Sequence, residues 1–197
     1  ELTEIDINYG GTIDKYIGDA IMIFFGDPLS NGIRKDAISC VSMALEMKRK
    51  LRKLKKNWEN AGLSESLDVR MGIHTDVCTV GNFGSADRLD YTVLGNGVNL
   101  ASRLESSAGA NEILISENTH NLINKDIESQ FFGEIKVKGR SHPVKAYKVL
   151  DKISKNTKQG IVNISRNGFS LKVDKDKIKD KNTIIAILED SIDNLTK

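Results

Sequence analysis

The sequence predicts a protein of the α/β or α+β class, in which helices are layered on β-sheet. Along the first 150 residues, apolar positions recur by turns at strand spacing and at helix spacing, which is typical of layered folds. The length of 197 residues suits one domain and an appendage, enough to bury a core without disulfides or structural metal. A hydrophobic content of 39% and a charged content of 28% are those of a globular protein.

The first predicted elements are a hairpin and a long helix. Residues 12–25 form two short apolar runs on either side of Gly18, which predicts a tight β-hairpin with Asp19 at its tip. From residue 36 onward apolar residues recur at helical spacing as far as Trp58. This pattern predicts a long helix with Asp36 as its N-cap.

The remaining elements of the first 150 residues are predicted from shorter patterns. Two runs after the long helix are expected to pair with each other as neighbouring strands. Strands and helices then alternate to the end of this region. In chain order the predictions are strands over 67–75, 78–83 and 89–94, a helix over 95–107, a strand over 113–115, a helix over 117–124, and closing strands over 131–137 and 147–150.

Charge and polarity change near residue 150. Residues 151–197 contain 10 Lys or Arg against 7 Asp or Glu, whereas the preceding 150 residues contain 19 against 20. Residues 154–160 are polar and end in glycine, as domain boundaries often do. We therefore expect one domain over 1–150, and over 151–197 a linker followed by a strand at 169–173 and a helix at 182–195.

Composition excludes several classes of protein. A net charge of +2 argues against a dedicated nucleic-acid-binding protein, which carries a basic surplus. The longest apolar run, residues 20–25, is too short to span a bilayer, so no membrane contact is expected within this chain. Two distant cysteines, Cys40 and Cys78, predict neither a disulfide framework nor a zinc site. A cytoplasmic location is expected, with a membrane tether in a longer parent protein left open.

Several polar residues suit a nucleoside polyphosphate with a metal ion. Asp19 at a hairpin tip can present oxygen to Mg²⁺, although an aspartate in a turn is by itself ordinary. Asn99 and Arg103 lie one helical turn apart near the N-terminus of a predicted helix, where backbone N–H groups favour an anion. The other candidate cations are Lys15 in the hairpin and Arg70, Lys138 and Arg140 near strand ends.

Four segments resemble the motifs of class III nucleotide cyclases, in the order and spacing of that family. Residues 12–22 resemble its hairpin, residues 69–75 the strand after its long helix, and residues 137–139 its final Val-Lys-Gly. Residues 95–103 match its Gly-x-x-Val-Asn-x-Ala-x-Arg signature. The resemblance implies a ferredoxin-like catalytic domain with a C-terminal strand-helix appendage. It also implies a head-to-tail homodimer with each active site in the interface.

The resemblance also implies a role for each candidate residue. The catalytic residues would be Asn99, which orients the ribose, and Arg103, which stabilises charge in the transition state. Asp19 would hold Mg²⁺ or Mn²⁺ at the triphosphate. The implied substrate-binding residues are Arg70 and Lys138 at the phosphates, and Lys15 and Thr92 at the base, the last two from the opposite protomer.

The pair of Lys15 and Thr92 resembles the bacterial adenylyl subtype, since guanylyl members have Glu and a small residue at these places. A lysine ammonium only donates hydrogen bonds and so suits the N1 acceptor of adenine, while Thr92 can accept from its 6-amino group. The implied reaction is attack of the ribose 3′ oxygen of ATP on the α-phosphate, which yields cyclic AMP and pyrophosphate. Open alternatives are a guanylate cyclase and a catalytically incompetent regulatory or dimerisation module. A diguanylate cyclase is disfavoured because the sequence contains no Gly-Gly-[Asp/Glu]-Glu-Phe motif.

The resemblance also implies a second metal aspartate, which falls upstream of Glu1. Glu4 and Asp6 are not expected to replace it, because they fall on the predicted helix before the hairpin. We therefore expect that the 197 residues by themselves do not place two metal ions and do not turn over.

Overall fold

The computed structural model describes residues 8–62, 67–85, 88–136, 143–153, 161–166, 169–174, 177–178 and 180–195. The chain divides after Ile153 into two compact units. The first unit mixes helices with antiparallel and parallel strands, so the predicted α+β class is confirmed. Its elements are β1 (Thr12–Ile17), β2 (Ala20–Phe24), α1 (Ile33–Asn60), β3 (Met71–Ile73), β4 (Thr79–Ser85), β5 (Arg88–Leu94), α2 (Asn96–Ser107), β6 (Ile113–Ser116), α3 (Glu117–Ile123), β7 (Ile127–Ile135) and β8 (Val144–Lys152).

The first unit is built on a four-stranded sheet in the order β3-β6-β8-β7. Strands β3 and β6 run parallel, and the other neighbours run antiparallel. All four residues of β6 are buried, because helices cover both of its faces. On one face Ile113 and Ile115 pack with the apolar stripe of α1, which includes Val41, Ala44 and Leu45.

Helix α2 covers the other face of the sheet. Leu114, which alternates with its neighbours along β6, packs with Leu100 and Leu104 of α2. Strand β3 approaches the same helix so closely that only glycine fits at position 72. A Cβ atom there would lie 2.2 Å from the carbonyl oxygen of Ala101 and from the backbone nitrogen of Glu105. The sheet therefore fixes the position of α2 tightly.

Two pairs of strands form separate antiparallel ribbons, β1–β2 and β4–β5. The predicted hairpin is confirmed, but the predicted pairing of residues 67–75 with 78–83 is wrong. Strand β3 pairs with β6, about forty residues further on, whereas β4 pairs along its whole length with β5. The strand at 67–75 also shrinks to Met71–Ile73, because the chain leaves the ladder on both sides of these residues.

The long helix is confirmed, but its predicted cap is wrong. Helix α1 begins at Ile33 with Gly32 as the N-cap residue, so Asp36 lies inside the first turn. The carboxylate of Asp36 instead accepts hydrogen bonds from the backbone N–H of Asn31, at 3.0 Å, and from the hydroxyl of Ser30. It therefore organises the loop before the helix rather than the helix end itself.

The second unit contains a β-ribbon and a helix. Strands β9 (Ile161–Arg166) and β10 (Phe169–Asp174) pair antiparallel, and helix α4 (Lys181–Leu195) follows. The strand predicted at 169–173 and the helix predicted at 182–195 are confirmed, whereas β9 was not predicted. The Asp180 carboxylate accepts hydrogen bonds from the hydroxyl of Thr183, at 2.6 Å, and the backbone N–H of Asn182, at 2.9 Å, and these bonds lower its pKa. Within the described part of the chain, no helix is long and apolar enough to cross a membrane.

Candidate active site

The hairpin β1–β2 presents two of the predicted site residues. Gly18 adopts a φ of +63°, a left-handed conformation that a glycine adopts without strain, and the chain reverses there. Asp19 follows it at the tip, and its side chain is exposed. Lys15 lies on β1, with 46% of its side chain exposed. The sequence thus places a carboxylate and an ammonium group four residues apart on one ribbon.

A β-bulge interrupts the pairing of β1 at Asp14. Ile13 pairs with Ile23, and Lys15 pairs with the next residue of the other strand, Met22, so Asp14 is an extra residue in β1. A bulge re-aims the side chains beside it and breaks the strict alternation of a strand. The Asp14 side chain is 0% exposed, whereas its neighbour Lys15 is partly exposed.

The carboxylate of Asp14 joins the two predicted base-reading residues. The Thr92 hydroxyl donates a hydrogen bond to Oδ2 of Asp14 at 3.0 Å, and the Lys15 ammonium lies 3.6 Å from the same oxygen. Oδ1 is buried and, among the described residues, has no hydrogen-bond partner. Lys15 and Thr92, which are far apart in sequence, therefore meet at one buried acid. Asp14 is not among the site residues predicted from the sequence, where it stands as one of two adjacent charged residues in β1.

Strand β5 carries Thr92 and is fastened to the hairpin at a second point. The hydroxyl of Tyr91 donates a hydrogen bond to the carboxylate of Asp27, just beyond β2. The rings of Tyr91 and Phe24 lie 6.3 Å apart between centroids. Thr92 itself is only 6% exposed. These contacts fix β5 against the β1–β2 ribbon, so the separation of Lys15 and Thr92 is set by packing.

Helix α2 carries Asn99 and Arg103, both exposed. Each lies one residue before a fully buried leucine, Leu100 or Leu104, which anchors the helix to the sheet. The two polar side chains therefore share the outer side of the helix, one turn apart. Asn99 lies in the first turn, where the positive end of the helix dipole favours an anion.

Arg70 lies beside α2 as well. Its Nε atom is 3.0 Å from a carboxylate oxygen of Glu105, which follows Arg103 by two residues. The two side chains are 51% and 38% exposed, so the pair contributes little to stability. Its consequence is geometric, because it restrains the Arg70 guanidinium next to the helix that carries Arg103.

The predicted site residues thus form separate groups within one chain. Asp14 joins Lys15 to Thr92, and Glu105 joins Arg70 to α2. No hydrogen bond or ion pair between described residues connects Asp19 to either group. Lys138 and Arg140 lie outside the described residues, as do Glu4 and Asp6.

The hairpin offers only part of a metal site. Among the described residues, no group of three or more His, Cys, Asp or Glu side chains could hold a metal ion. Asp19 nevertheless supplies an exposed carboxylate, and Mg²⁺ is commonly held by one or two carboxylates together with substrate phosphates. The donor chemistry fits a metal ion that is shared with a polyphosphate.

Large apolar side chains are exposed on both ribbons. On β1–β2 they are Tyr16, Ile17 and Ile21, and on β4–β5 they include Leu89 and Leu94. Tyr16 and Ile17 are about three-fifths exposed, at 61% and 59%. Exposed apolar clusters of this kind often mark a surface that another protein covers.

Comparison with known proteins identifies the family. Residues 10–151 match the sequence profile of the family described as "Adenylate and Guanylate cyclase catalytic domain". The chain belongs to this family. The resemblance to class III cyclases is therefore confirmed, and the members of this family generally use divalent metal ions.

Solved and curated relatives agree with this assignment. The adenylyl cyclase CyaB from P. aeruginosa is 49% identical, with a TM-score of 0.74 over 79% of this chain and 78% of that one. The guanylyl cyclase Cya2 is 32% identical, with a TM-score of 0.71 over 79% and 77%. An adenylate cyclase of Anabaena cylindrica is 34% identical over 145 residues, which are 71% of this chain and 28% of the relative. The chain spans only 7% to 28% of the first curated relatives it matches.

Proposed function

We propose that this chain is the catalytic domain of an adenylate cyclase, which converts ATP to 3′,5′-cyclic AMP and pyrophosphate. The observation that carries the proposal is the meeting of Lys15 and Thr92 at the buried carboxylate of Asp14. The names of the relatives support it in part, since adenylate cyclases and a guanylate cyclase are both similar to this chain. The choice between ATP and GTP therefore rests on the residues themselves.

Base recognition follows from hydrogen-bond chemistry. The Lys15 ammonium has donors only, so it suits the unprotonated N1 of adenine and not the protonated N1 of guanine. The Thr92 oxygen accepts from the 6-amino group of adenine. Guanine has a carbonyl at that position and so offers no donor. Both side chains thus favour adenine, and a site that leaves polar groups unpaired with the wrong base discriminates strongly.

The ribose and the phosphates are assigned to α2 and its neighbours. Asn99 orients the ribose so that its 3′ oxygen faces the α-phosphate. Arg103, one turn later, stabilises the negative charge that develops on the phosphoryl oxygens. Arg70, restrained beside α2 by Glu105, and Lys138 bind phosphate oxygens.

Asp19 is the proposed ligand of Mg²⁺ or Mn²⁺. A divalent cation at this place supplies Lewis-acid chemistry, because it neutralises phosphate charge and favours deprotonation of the 3′ hydroxyl. Asp19 contributes one carboxylate oxygen from an exposed hairpin tip, where a bound triphosphate can complete the coordination.

We assign the complete site to a head-to-tail homodimer. Asp19 is separate from the other groups within one chain, so a second copy can bring Lys15, Thr92, Asn99 and Arg103 to it. The exposed apolar side chains of both ribbons provide surface for such an interface. Residues 1–150 form the catalytic domain of this proposal, residues 151–197 a linker and strand-helix tail, and the reaction takes place in the cytoplasm.

The assignment to ATP is tested by measuring turnover of ATP and of GTP by the Lys15→Glu variant of the full-length protein that contains this chain. A glutamate accepts from the protonated N1 of guanine, so the ratio of kcat/KM for ATP to that for GTP should fall about tenfold or more. Lys125→Glu, the same change at an exposed position outside the site, is the control. A wild-type enzyme that prefers GTP would establish the guanylate cyclase alternative. Absence of both activities would favour the regulatory module.

The shared site is tested by mixing two inactive variants. Asp19→Ala removes the proposed metal ligand and Arg103→Ala removes the transition-state cation, so each alone should show little turnover. If each active site uses both chains, a mixture contains heterodimers with one intact site and should recover about a quarter of wild-type activity. A mixture as inactive as its components would argue against a site between protomers.

A further inference from the structure

The proposed function gives Asp14 itself no role, although Lys15 and Thr92 meet at its carboxylate. Its side chain is fully buried, it occupies a β-bulge, and it touches both proposed base-reading residues. Burial of a carboxylate is unfavourable unless hydrogen bonds or opposite charges compensate it. The burial of such a group in β1 therefore calls for an explanation beyond packing.

The hydrogen bond between Thr92 and Asp14 has a defined direction. A threonine hydroxyl has one hydrogen to donate and two lone pairs that accept, whereas an ionised carboxylate only accepts. The hydroxyl of Thr92 donates to Oδ2 of Asp14 at 3.0 Å, so its one hydrogen is already used. Only the lone pairs of Thr92 remain for a ligand.

We infer that Asp14 is a positioning residue that sets the preference for ATP over GTP. It holds the hydroxyl of Thr92 as an acceptor, which matches the 6-amino group of adenine and mismatches the 6-oxo group of guanine. It also lies 3.6 Å from the Lys15 ammonium and so restrains the second base-reading group. The inference rests on the proposed function, and it assigns the polarity of Thr92 to a residue that does not itself contact the base.

The bulge explains how adjacent residues take these two roles. In a regular strand, neighbouring side chains point to opposite faces. The extra residue at position 14 breaks this alternation, so the Lys15 ammonium lies 3.6 Å from the carboxylate of its own neighbour, Asp14.

The test isolates the 6-position of the purine. 6-O-methylinosine 5′-triphosphate keeps the N1 acceptor of ATP but carries a methoxy oxygen, an acceptor, in place of the amino group. The affinity ratio of the two ligands therefore reports whether Thr92 accepts or donates. Binding of each, as the α,β-methylene analogue that cannot be cyclised, is measured by calorimetry with Mg²⁺ present, in the same protein as the Lys15→Glu test. We expect the wild type to bind ATP about fivefold to tenfold more tightly. In Asp14→Ala the freed hydroxyl can rotate and donate to the methoxy oxygen, while it can still accept from the amino group of ATP, so the ratio should fall toward one.

A structural role is distinguished by a double variant. If Asp14 acts through the Thr92 hydroxyl, Asp14→Ala should change the affinity ratio no further in a Thr92→Val background. Multiplied effects in the double variant would overturn the inference. Asp151→Ala removes a carboxylate from the exposed pair with Arg49 and is the control for a lost charge, with the wild-type ratio expected.

Further outcomes distinguish a failure of the proposed function from a failure of the role assigned to Asp14. If the wild type binds neither ligand, or shows no preference for ATP over GTP, the proposed function fails. If the wild type prefers ATP and Asp14→Ala keeps the wild-type ratio, only the role of Asp14 is wrong. Should thermal melting show that Asp14→Ala is unfolded, Asp14→Asn retains the shape. Because an amide both donates and accepts, its ratio should be intermediate, and a wild-type ratio in this variant also overturns the inference.

Discussion

The interface between α2 and the sheet differs from the two β-ribbons in how completely its apolar side chains are buried within one chain. Between α2 and the sheet, Leu100, Leu104 and Leu114 are 0% exposed, and no space remains beside Gly72. On the ribbons, Tyr16 and Ile17 stay exposed, while the carboxylate of Asp14 is buried with one oxygen unpaired among the described residues. The sheet and α2 therefore form a scaffold that is packed within one chain, whereas the ribbons carry exposed apolar side chains that the proposed dimer would cover.

The largest effect is expected where the scaffold leaves no space. In Gly72→Ala the new Cβ atom would lie 2.2 Å from two backbone atoms of α2, so the helix must move away from β3. We expect a loss of about 3 kcal/mol or more in the free energy of unfolding, measured by urea denaturation.

Gly81→Ala on β4 is the matched control for this change. The closest atom to its added Cβ is a ring carbon of Phe83 at 3.8 Å, an ordinary contact. This variant should stay within about 0.5 kcal/mol of the wild type. Equal effects of the two substitutions would contradict the proposed contrast between scaffold and ribbon.

A smaller effect is expected on self-association. Ile17→Ser removes an exposed apolar side chain from β1, so the stability of one chain should change little, while the dimer proposed above should lose about tenfold in affinity. Sedimentation equilibrium measures the association, and thermal melting checks the fold. Val77→Ser, at a position that is 93% exposed and lies outside both ribbons, is the control. Unchanged association in Ile17→Ser would remove the first ribbon from the interface.

The smallest effect concerns an acid at the edge of the scaffold. The Lys148 ammonium and the backbone N–H of Gly109 donate hydrogen bonds to Glu112, and these contacts lower the pKa of its carboxyl group. A lowered pKa stabilises the fold above the ordinary glutamate pKa, and this contribution disappears as the pH falls through the lowered value. Glu112→Gln should therefore reduce stability by roughly 1 kcal/mol at pH 7, with a smaller difference in acid.

Urea denaturation at a series of pH values checks this expectation. Glu128→Gln on β7, which changes an exposed glutamate, is the control. A difference between Glu112→Gln and the wild type that grows as the pH falls would mean that the sign of the pKa shift is wrong.

Local patterns predicted the elements well, because helix and strand periodicity reside in neighbouring residues. The hairpin around Gly18, the long helix and α2 all follow from such spacing. The pairing of β3 with β6 did not, because strand partners are chosen by packing across about forty residues. The cap of α1 was misplaced for a related reason, since an aspartate near a helix start can bond the preceding loop instead of the helix.

The candidate site residues were named from motifs, but the contacts among them were not predicted. Motif spacing singled out Lys15 and Thr92, yet nothing in either motif indicates that one carboxylate joins them. A bulge depends on the register of two strands, and register is not visible in the sequence of one of them. The ion pair of Arg70 with Glu105 likewise depends on the packing of β3 against α2.

Because Asp14 is the extra residue in β1, the length of this strand decides whether a buried carboxylate is present beside Lys15 and Thr92. Deleting Asp14 would let Ile13 and Lys15 pair consecutively with Ile23 and Met22, so the ladder would become regular and the hairpin could still close. The same deletion would remove the buried carboxylate and the hydrogen bond that it accepts from Thr92 of the neighbouring ribbon. A one-codon deletion should therefore keep the hairpin but remove the residue to which we assign the choice between ATP and GTP.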